Sequence, residues 1–144
     1  MDWHERSFAS LTTRELYAII ALRERVFVIE QRCIYLDADG LDPIATHVWA
    51  SANDAIVAYL RILPPGARFP EASIGRVIVL ASERGTGLGR ELMRRGIAIA
   101  NGPIRIGAQA HLQRFYGELG FATISDVYDE DGIPHVDMLR PAGS

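Results

Sequence analysis

The stretch that decides the fold runs from Ser73 to Asn101 and reads SIGRVIVLASERGTGLGRELMRRGIAIAN. Its first eight residues are rich in valine and isoleucine, which is typical of a buried strand. Glycine then stands at every second position from Gly85 to Gly89, and a helical pattern runs from Arg90 to Asn101. Glycine lets the backbone curl tightly and approach a ligand closely. The sequence therefore predicts a strand, a glycine loop and a helix in direct succession.

The glycine loop leads into the amino end of a helix, which is suited to phosphate. The first amides of a helix have no partner within the helix and carry the positive end of its dipole. The spacing G-x-G-x-G is not the dinucleotide fingerprint G-x-G-x-x-G, and no G-x-x-x-x-G-K-[ST] run occurs, so the glycines argue against a nucleotide-binding module. The pattern that is present is Arg84-x-x-Gly87-x-Gly89. It is either an anion-binding loop or an ordinary glycine-rich turn between a strand and a helix.

Composition narrows the class of protein. The chain has 144 residues, 49% hydrophobic and 23% charged, with a net charge of −3. These values predict one globular domain spanning residues 1–144 and no nucleic acid as a partner. No apolar run of 18 residues occurs and the amino terminus is charged, so we expect no membrane partner and a cytoplasmic location.

Strand-like and helix-like patterns alternate along the rest of the chain, which predicts an α/β or α+β fold. Thr12 and Glu15 form a predicted capping box, and Gly120 is a predicted helix end. The predicted strands cover residues 3–8, 46–50, 55–63, 73–80, 104–108, 121–128 and 135–139. The predicted helices follow Thr12, Gly89 and Ala110, the last covering residues 111–119.

Charged residues interrupt the apolar stripe of the first helix. Arg23 and Glu30 share a face with Ile19 and Phe27. The favoured interpretation is that both lie at the margin of the stripe and extend into water. The alternative is that this end of the helix faces a cleft, where the pair would recognise a polar substrate.

An acidic segment follows the first helix, with Asp37, Asp39 and Asp42 around Gly40. An EF-hand needs glycine at loop position 6 and glutamate at position 12, and this spacing provides neither. We therefore expect a solvated acidic turn. A secondary possibility is that its carboxylates attract an amine substrate.

A second motif lies beyond the helix, in Phe115-Tyr116-Gly117-Glu118-Leu119-Gly120-Phe121. It resembles the F-Y-x-x-x-G-F segment of the GNAT N-acetyltransferases, and Arg84-x-x-Gly87-x-Gly89 resembles their R/Q-x-x-G-x-G/A loop. The two occur in the expected order, and the resemblance covers roughly residues 10–140. The segments 21–31 and 131–135, with Tyr35, Asp39-Gly40 and His47, resemble the ElaA-type branch of that superfamily.

The resemblance implies a GNAT-like mixed, mostly antiparallel central sheet of six to seven strands flanked by about four helices, with central strands that splay apart. It implies direct transfer of an acetyl group from acetyl-CoA to a primary amine of a small molecule or peptide, without a metal. The resemblance and the exposed sheet edges also suggest a homodimer. The alternative is a non-catalytic acyl-CoA-binding or regulatory domain that has kept the fold.

The resemblance also assigns cofactor contacts by position. The pantetheine arm would pair with the strand edge, and the pyrophosphate would lie on the loop, with charged support from arginine. The expected cofactor-binding residues are Val77, Ile78, Val79, Arg84, Gly85, Thr86, Gly87, Leu88, Gly89, Arg90 and Gln109.

Tyr116 is the candidate general acid, because a thiolate leaves and a thiol has a pKa of about 8.5 against about 10 for tyrosine. A core tyrosine at helical spacing is the alternative. Arg76 is the only charge on the central strand, so the proton acceptor stays open among Glu30, His47, His111 and a water relay.

The remaining candidate contacts are less specific. A backbone amide near Val77 would stabilise the oxyanion. Cys33 fits a partly buried small residue better than an acyl-carrying nucleophile. The candidate substrate residues are Arg23, Glu30, Tyr35 and His111.

Overall fold

Two antiparallel sheets form the framework of the molecule, which a computed structural model describes over residues 1–143. The first sheet has the order β1 (Asp2–Ser7), β2 (Thr46–Ala52), β3 (Ala55–Leu63) and β4 (Ser73–Val79). In the second sheet, β8 (Ile133–Arg140) pairs with β5 (Ile104–Gln109), with β6 (Ala122–Thr123) and with β7 (Tyr128–Glu130).

The two sheets meet where β4 and β5 begin. Ala72 forms a parallel bridge with Ile104, and the amide of Arg105 donates to the carbonyl oxygen of Ala72 at 2.9 Å. Over the described residues, no further bridge joins β4 to β5. The strands therefore splay apart towards their carboxyl ends and leave a wedge between the sheets.

Helices cover both faces of the first sheet. The helix α1 (Thr13–Arg23) begins with the predicted capping box, and the chain continues as a π-helical turn over Glu24–Glu30. The helix α2 (Leu88–Ala100) follows the glycine loop, and the short helix α3 (Gln113–Gly117) follows β5.

The core consists of two apolar clusters on opposite faces of β3. Leu60 packs with Leu92 and Met93 of α2, whereas Tyr59 packs with Ile19 of α1. Alternate residues of a strand point to opposite faces, so β3 is buried on both. The burial of both faces explains why residues 55–63 are almost continuously apolar.

The predicted mixed, mostly antiparallel fold with splayed central strands is confirmed. The counts differ slightly, with eight strands and three α-helices among residues 1–143.

The predicted strand over 121–128 is wrong in its middle. The amide of Asp137 donates to the hydroxyl of Ser125 at 2.8 Å, where a continuing ladder would use a backbone carbonyl. The pairing is interrupted there, so β6 and β7 are separate short strands. Within residues 1–143, no helix has the length and apolar character that crossing a membrane requires.

Candidate active site

A cavity of about 460 Å³ fills the wedge between β4 and β5. Residues 73–77 form one wall and residues 106–109 the other, and Tyr116 lies at the end of the second wall. The loop before β2, through residues 31–41, and the turn between β7 and β8 close the remaining sides. The splay of the two parallel strands therefore creates the site.

A bulge in β4 shapes the first wall. Gly75 pairs with Arg61 and Ile78 with Tyr59, so Arg76 and Val77 together stand opposite one residue of β3. Arg76 has a φ of +53°, a left-handed conformation that costs a non-glycine residue about 1–2 kcal/mol. A bulge bends a strand and releases its backbone groups from the ladder.

Three arginines and three aspartates form an ion network beside this wall. Arg23 contacts Asp37 at 2.8 Å and Asp42 at 2.6 Å. Arg61 contacts Asp39 at 2.5 Å and Asp42 at 3.0 Å, and Arg76 contacts Asp37 at 2.9 Å and Asp39 at 3.3 Å. The formal charges cancel, and the network ties the loop to α1, β3 and β4.

The network corrects two predictions. Arg23 is completely buried and does not extend into water, because the loop carries Asp37 and Asp42 over its guanidinium. The segment is therefore not a solvated acidic turn: Asp37 and Asp42 are 5% and 6% exposed. Burial acts to raise the pKa of Asp42, but the hydrogen bonds and charges of Arg23 and Arg61 together outweigh it, and the pKa falls. Arg23 does not line the cavity.

Tyr116 is 7% exposed and lines the cavity. Its ring packs edge-on between Phe115 and Phe121, with centroids 5.1 and 6.0 Å away. Burial raises the pKa of Tyr116 to about 12, so the phenol is protonated at neutral pH. The aromatic packing and the cavity position are compatible, and the two interpretations of this tyrosine are not exclusive.

The glycine loop lies beyond the carboxyl end of β4. Gly85 and Gly87 have φ of +80° and +84°, and Gly87 caps α2 without any side-chain hydrogen bond to the first amides. The amides at the start of α2, from Leu88, are therefore not satisfied by a capping side chain. A Cβ on Gly89 would stand 3.3 Å from Val79, so glycine there lets α2 approach β4 closely.

The polar side chains around the glycine loop differ in their contacts. Arg84 is exposed, whereas Thr86 donates to the carbonyl oxygen of Glu83 at 2.6 Å. Arg90 is half-buried and contacts Glu118 at 3.5 Å. The loop is accessible, and no residue of it lines the cavity itself.

The remaining predicted cofactor residues lie on β4 and β5. Val77 and Gln109 line the cavity. The side chain of Ile78 is buried against Tyr59 on the far face, so Ile78 offers only its backbone. Val79 is half-buried and packs against the core that includes Leu92.

Of the candidate substrate residues, Tyr35 lines the cavity, while Glu30 and His111 are exposed outside it. Glu30 leaves the predicted stripe because the chain after Arg23 is π-helical, with the amide of Gln31 donating to Val26 at 3.1 Å. This geometry adds one residue per turn and shifts later side chains around the axis.

His47, one of the candidate proton acceptors, lies in the core and not in the cavity. His47 is completely buried and bonds the Tyr59 hydroxyl at 2.7 Å and the carbonyl oxygen of Asp42 at 3.1 Å. Burial lowers the pKa of His47. Glu30, His47 and His111 therefore all lie outside the cavity lining.

Sequence reasoning missed polar residues that the structure brings to the cavity from the far end of the chain. These are Arg68, Glu130, Asp131 and His135. The available signal was the turn Asp131-Gly132 followed by β8, which places His135 directly opposite Gln109 of β5. Cys33 also lines the cavity and is 6% exposed, as expected for a buried small residue. Among the described residues, no three His, Cys, Asp or Glu side chains are grouped to hold a metal ion.

Comparison with known proteins identifies the family to which this fold belongs. Residues 25–140 match the family model of the acetyltransferase (GNAT) domain. The Escherichia coli protein ElaA is 41% identical, over 97% of this chain and 96% of its own. The crystal structure of an acyl-CoA N-acyltransferase from Pseudomonas aeruginosa superposes with a TM-score of 0.91 and 42% identity, over 97% of this chain and 99% of that one. Escherichia coli ElaA superposes equally well, with a TM-score of 0.91. The chain therefore belongs to the GNAT acetyltransferase family and is ElaA-like.

Proposed function

We propose that this protein transfers an acetyl group from acetyl-CoA to a primary amine by direct attack. The observation that carries the proposal is the wedge between β4 and β5, which Tyr116 lines, together with the start of α2 beyond the carboxyl end of β4, where no side chain caps the first amides. A linear cofactor with an anionic end and a reactive end fits this arrangement.

The cofactor would lie along the free edge of β4. Its pantetheine amides would pair with the backbone of Val77 to Val79, as an added strand pairs with a sheet edge. The pyrophosphate would accept hydrogen bonds from the amides of residues 85–90, where α2 begins. Arg84 is exposed and would contribute a charged hydrogen bond. Gln109 would contact the cofactor from the opposite wall.

Reaction would proceed by attack of the neutral amine nitrogen on the thioester carbon. The bulge at Arg76 and Val77 would direct a released backbone amide at the carbonyl oxygen, which becomes negative as the C–N bond forms. Breaking the C–S bond then produces a thiolate that needs a proton.

Tyr116 would supply that proton. With a pKa of about 12, the phenol is a weaker acid than the reference thiol at about 8.5. The thiolate forms in the same poorly hydrated cavity, and loss of hydration raises its pKa as well. The two pKa values therefore move in the same direction, and proton transfer stays feasible.

The acceptor would enter from the side of the cavity that residues 31–41 and the β7–β8 turn form. Asp37, Asp39 and Asp42 are neutralised by arginine and do not attract an amine by net charge. Glu130 and Asp131 line that side and are the carboxylates that would attract a cationic amine.

The test is thiol release from acetyl-CoA in the presence of spermidine, lysine and a peptide with a free amino terminus. We expect release that depends on at least one of these amines. Tyr116→Phe should lower kcat by about 10²–10⁴-fold and leave CoA affinity nearly unchanged. Tyr17→Phe is the matched control, because Tyr17 is 77% exposed and outside the cavity.

Two results would contradict the proposal. An unchanged kcat in Tyr116→Phe, when chemistry limits the rate, would remove this residue from proton transfer. Tight CoA binding without amine-dependent release would favour the non-catalytic acyl-CoA-binding alternative.

A further inference from the structure

His135 has a fixed tautomer at the edge of the cavity. It lies on β8, is 8% exposed, and lines the cavity opposite Gln109. Its Nδ1 stands 2.7 Å from the carbonyl oxygen of Ile133. A carbonyl oxygen accepts hydrogen bonds and cannot donate, so Nδ1 carries the hydrogen. In the neutral ring the lone pair is then on Nε2.

A carboxylate lies beside Nε2 of His135. Oε2 of Glu130 stands 3.4 Å from Nε2, and Oε1 of Glu130 stands 3.6 Å from the guanidinium of Arg68. A carboxylate accepts hydrogen bonds, so it would form one with Nε2 only after this nitrogen has been protonated. Tyr128 stacks on the ring from β7, with centroids 6.1 Å apart.

Other groups of the cavity are less suited to accept a proton. Asp39 is held by the guanidinium groups of Arg61 and Arg76. The thiol of Cys33 points to backbone carbonyl oxygens, with Asp131 at 3.4 Å. The hydroxyl of Tyr35 donates to Asp37 at 3.1 Å. Tyr116 would be the proton donor.

We propose that Nε2 of His135 accepts the proton that the acceptor ammonium must lose, and that Glu130 stabilises the imidazolium so formed. The inference rests on the proposed acetyl transfer and assigns the proton acceptor of that reaction. The role of Glu130 is positioning and electrostatic, because it acts through His135.

The protons balance as follows. The ammonium gives one proton to Nε2, its nitrogen bonds to the thioester carbon, and the C–S bond breaks. Sulfur takes a proton from Tyr116, and the phenolate is reprotonated by the second proton that the nitrogen loses. His135 then releases its proton to water, so one amide, one thiol and one free proton are the products.

The first test measures the tautomer and needs no turnover. The chain has four histidines, so the ring nitrogens can be resolved by ¹⁵N NMR at pH 8, and loss of one set of signals in His135→Asn assigns them. We expect Nδ1 protonated and Nε2 unprotonated. A proton on Nε2 at this pH would overturn the proposal.

The second test follows the pH dependence of kcat/KM with acetyl-CoA and the same amines. In His135→Asn the amide nitrogen can still donate to the carbonyl oxygen of Ile133. We expect a loss of about 100-fold or more near pH 7 that shrinks towards pH 10, where solvent deprotonates the amine. His4→Asn, on β1 and outside the cavity, is the control and should keep the wild-type pH dependence.

Glu130→Gln separates an electrostatic role from a structural one. Without the carboxylate, the imidazolium formed during the reaction loses its ionic partner, so kcat should fall while KM for acetyl-CoA stays unchanged. Three neighbouring ionisable groups stay unchanged: Tyr128 stacks on the ring, Arg68 contacts Glu130, and Asp131 lines the same cavity. An unchanged kcat would remove Glu130 from the proposal.

Failure of the inference differs from failure of the proposed function. A loss in His135→Asn that is equal at all pH values, or no loss at all, would overturn the role of His135 while acetyl transfer stands. Wild-type protein that releases thiol with none of the amines would contradict acetyl transfer, and the role of His135 would fall with it whatever its tautomer.

Discussion

At the residue scale, the charge network around Arg23 is the feature with the largest expected effect on stability. Its guanidinium is completely buried and reaches Asp37 and Asp42, which are themselves almost completely buried. Removing one partner of such a pair leaves a buried charge without compensation. The loop that closes one side of the cavity therefore depends on this arginine.

Arg23→Ala should lower the free energy of unfolding by about 3–5 kcal/mol, measured by urea denaturation at pH 7. Arg14→Ala is the control on the same helix, because Arg14 is exposed, and it should change stability by no more than about 0.5 kcal/mol. Equal effects of the two substitutions would mean that the network contributes nothing beyond a surface charge.

His47 makes a pH-dependent contribution. Burial lowers its pKa in the folded protein, whereas the unfolded chain takes up a proton below the ordinary value of about 6.5. The unfolded state therefore binds more protons, and the free energy of unfolding should fall as pH decreases below about 6.5.

Stability measured between pH 8 and pH 5 checks this expectation. His47→Gln should flatten the dependence in this range, whatever its effect on stability at pH 8. His111→Gln, at an exposed position, should keep the wild-type slope. A wild-type slope in His47→Gln would contradict the assignment.

The contacts of a single residue could be predicted when its partners lie close to it along the sequence. The capping box of Thr12 and Glu15 was readable because its partners are three residues apart. Arg23 was misread because Asp37 and Asp42 lie 14 and 19 residues away, in a loop without periodicity. Sequence spacing carries no information on a contact of that kind.

At the element scale, the glycine loop is the part with the most specific conformational requirement. Gly87 combines a φ of +84° with the position that starts α2, and nothing in the protein lies within 4 Å of an added Cβ. The open space and the uncapped amides are what a phosphate group requires.

Gly87→Ala should weaken CoA binding by at least tenfold, measured by isothermal titration, because the backbone would leave the left-handed region that aims the amides. Gly66→Ala is matched in strain, with a φ of +88° and open space around it, but lies outside the cavity and the loop. Equal CoA affinities of the two variants would show that the loop does not hold the cofactor.

The sequence prediction failed for the elements whose backbone departs from the regular period of a helix or strand. The turn over Glu24–Glu30 is π-helical, so a spacing of 3.6 residues assigned Glu30 to the wrong face. The strand predicted over 121–128 is divided by Ser125, whose hydroxyl replaces a ladder partner. In both cases, hydrogen bonds invisible in the sequence changed the pattern.

At the scale of the whole molecule, the cavity combines a predictable half with an unpredictable one. The path that we propose for the cofactor was predictable from two motifs, the glycine loop and the segment containing Tyr116, although the glycine loop does not line the cavity itself. The side that we propose for the acceptor brings together the loop near Cys33 and the turn at Asp131, 98 residues apart, whose contact is a sulfur–carbonyl hydrogen bond. Only the folded chain reveals that meeting and places His135 there.

The measurement that tests the account most directly is amide hydrogen exchange with and without saturating CoA, with NAD as the control ligand. CoA should slow exchange in residues 77–79 and 85–90, which form the strand edge and the loop, and NAD should not. The result that would contradict the account is no CoA-dependent protection, or protection confined to the surface groove beside Trp3 and Arg95, where β1 forms the opposite edge of the first sheet from β4.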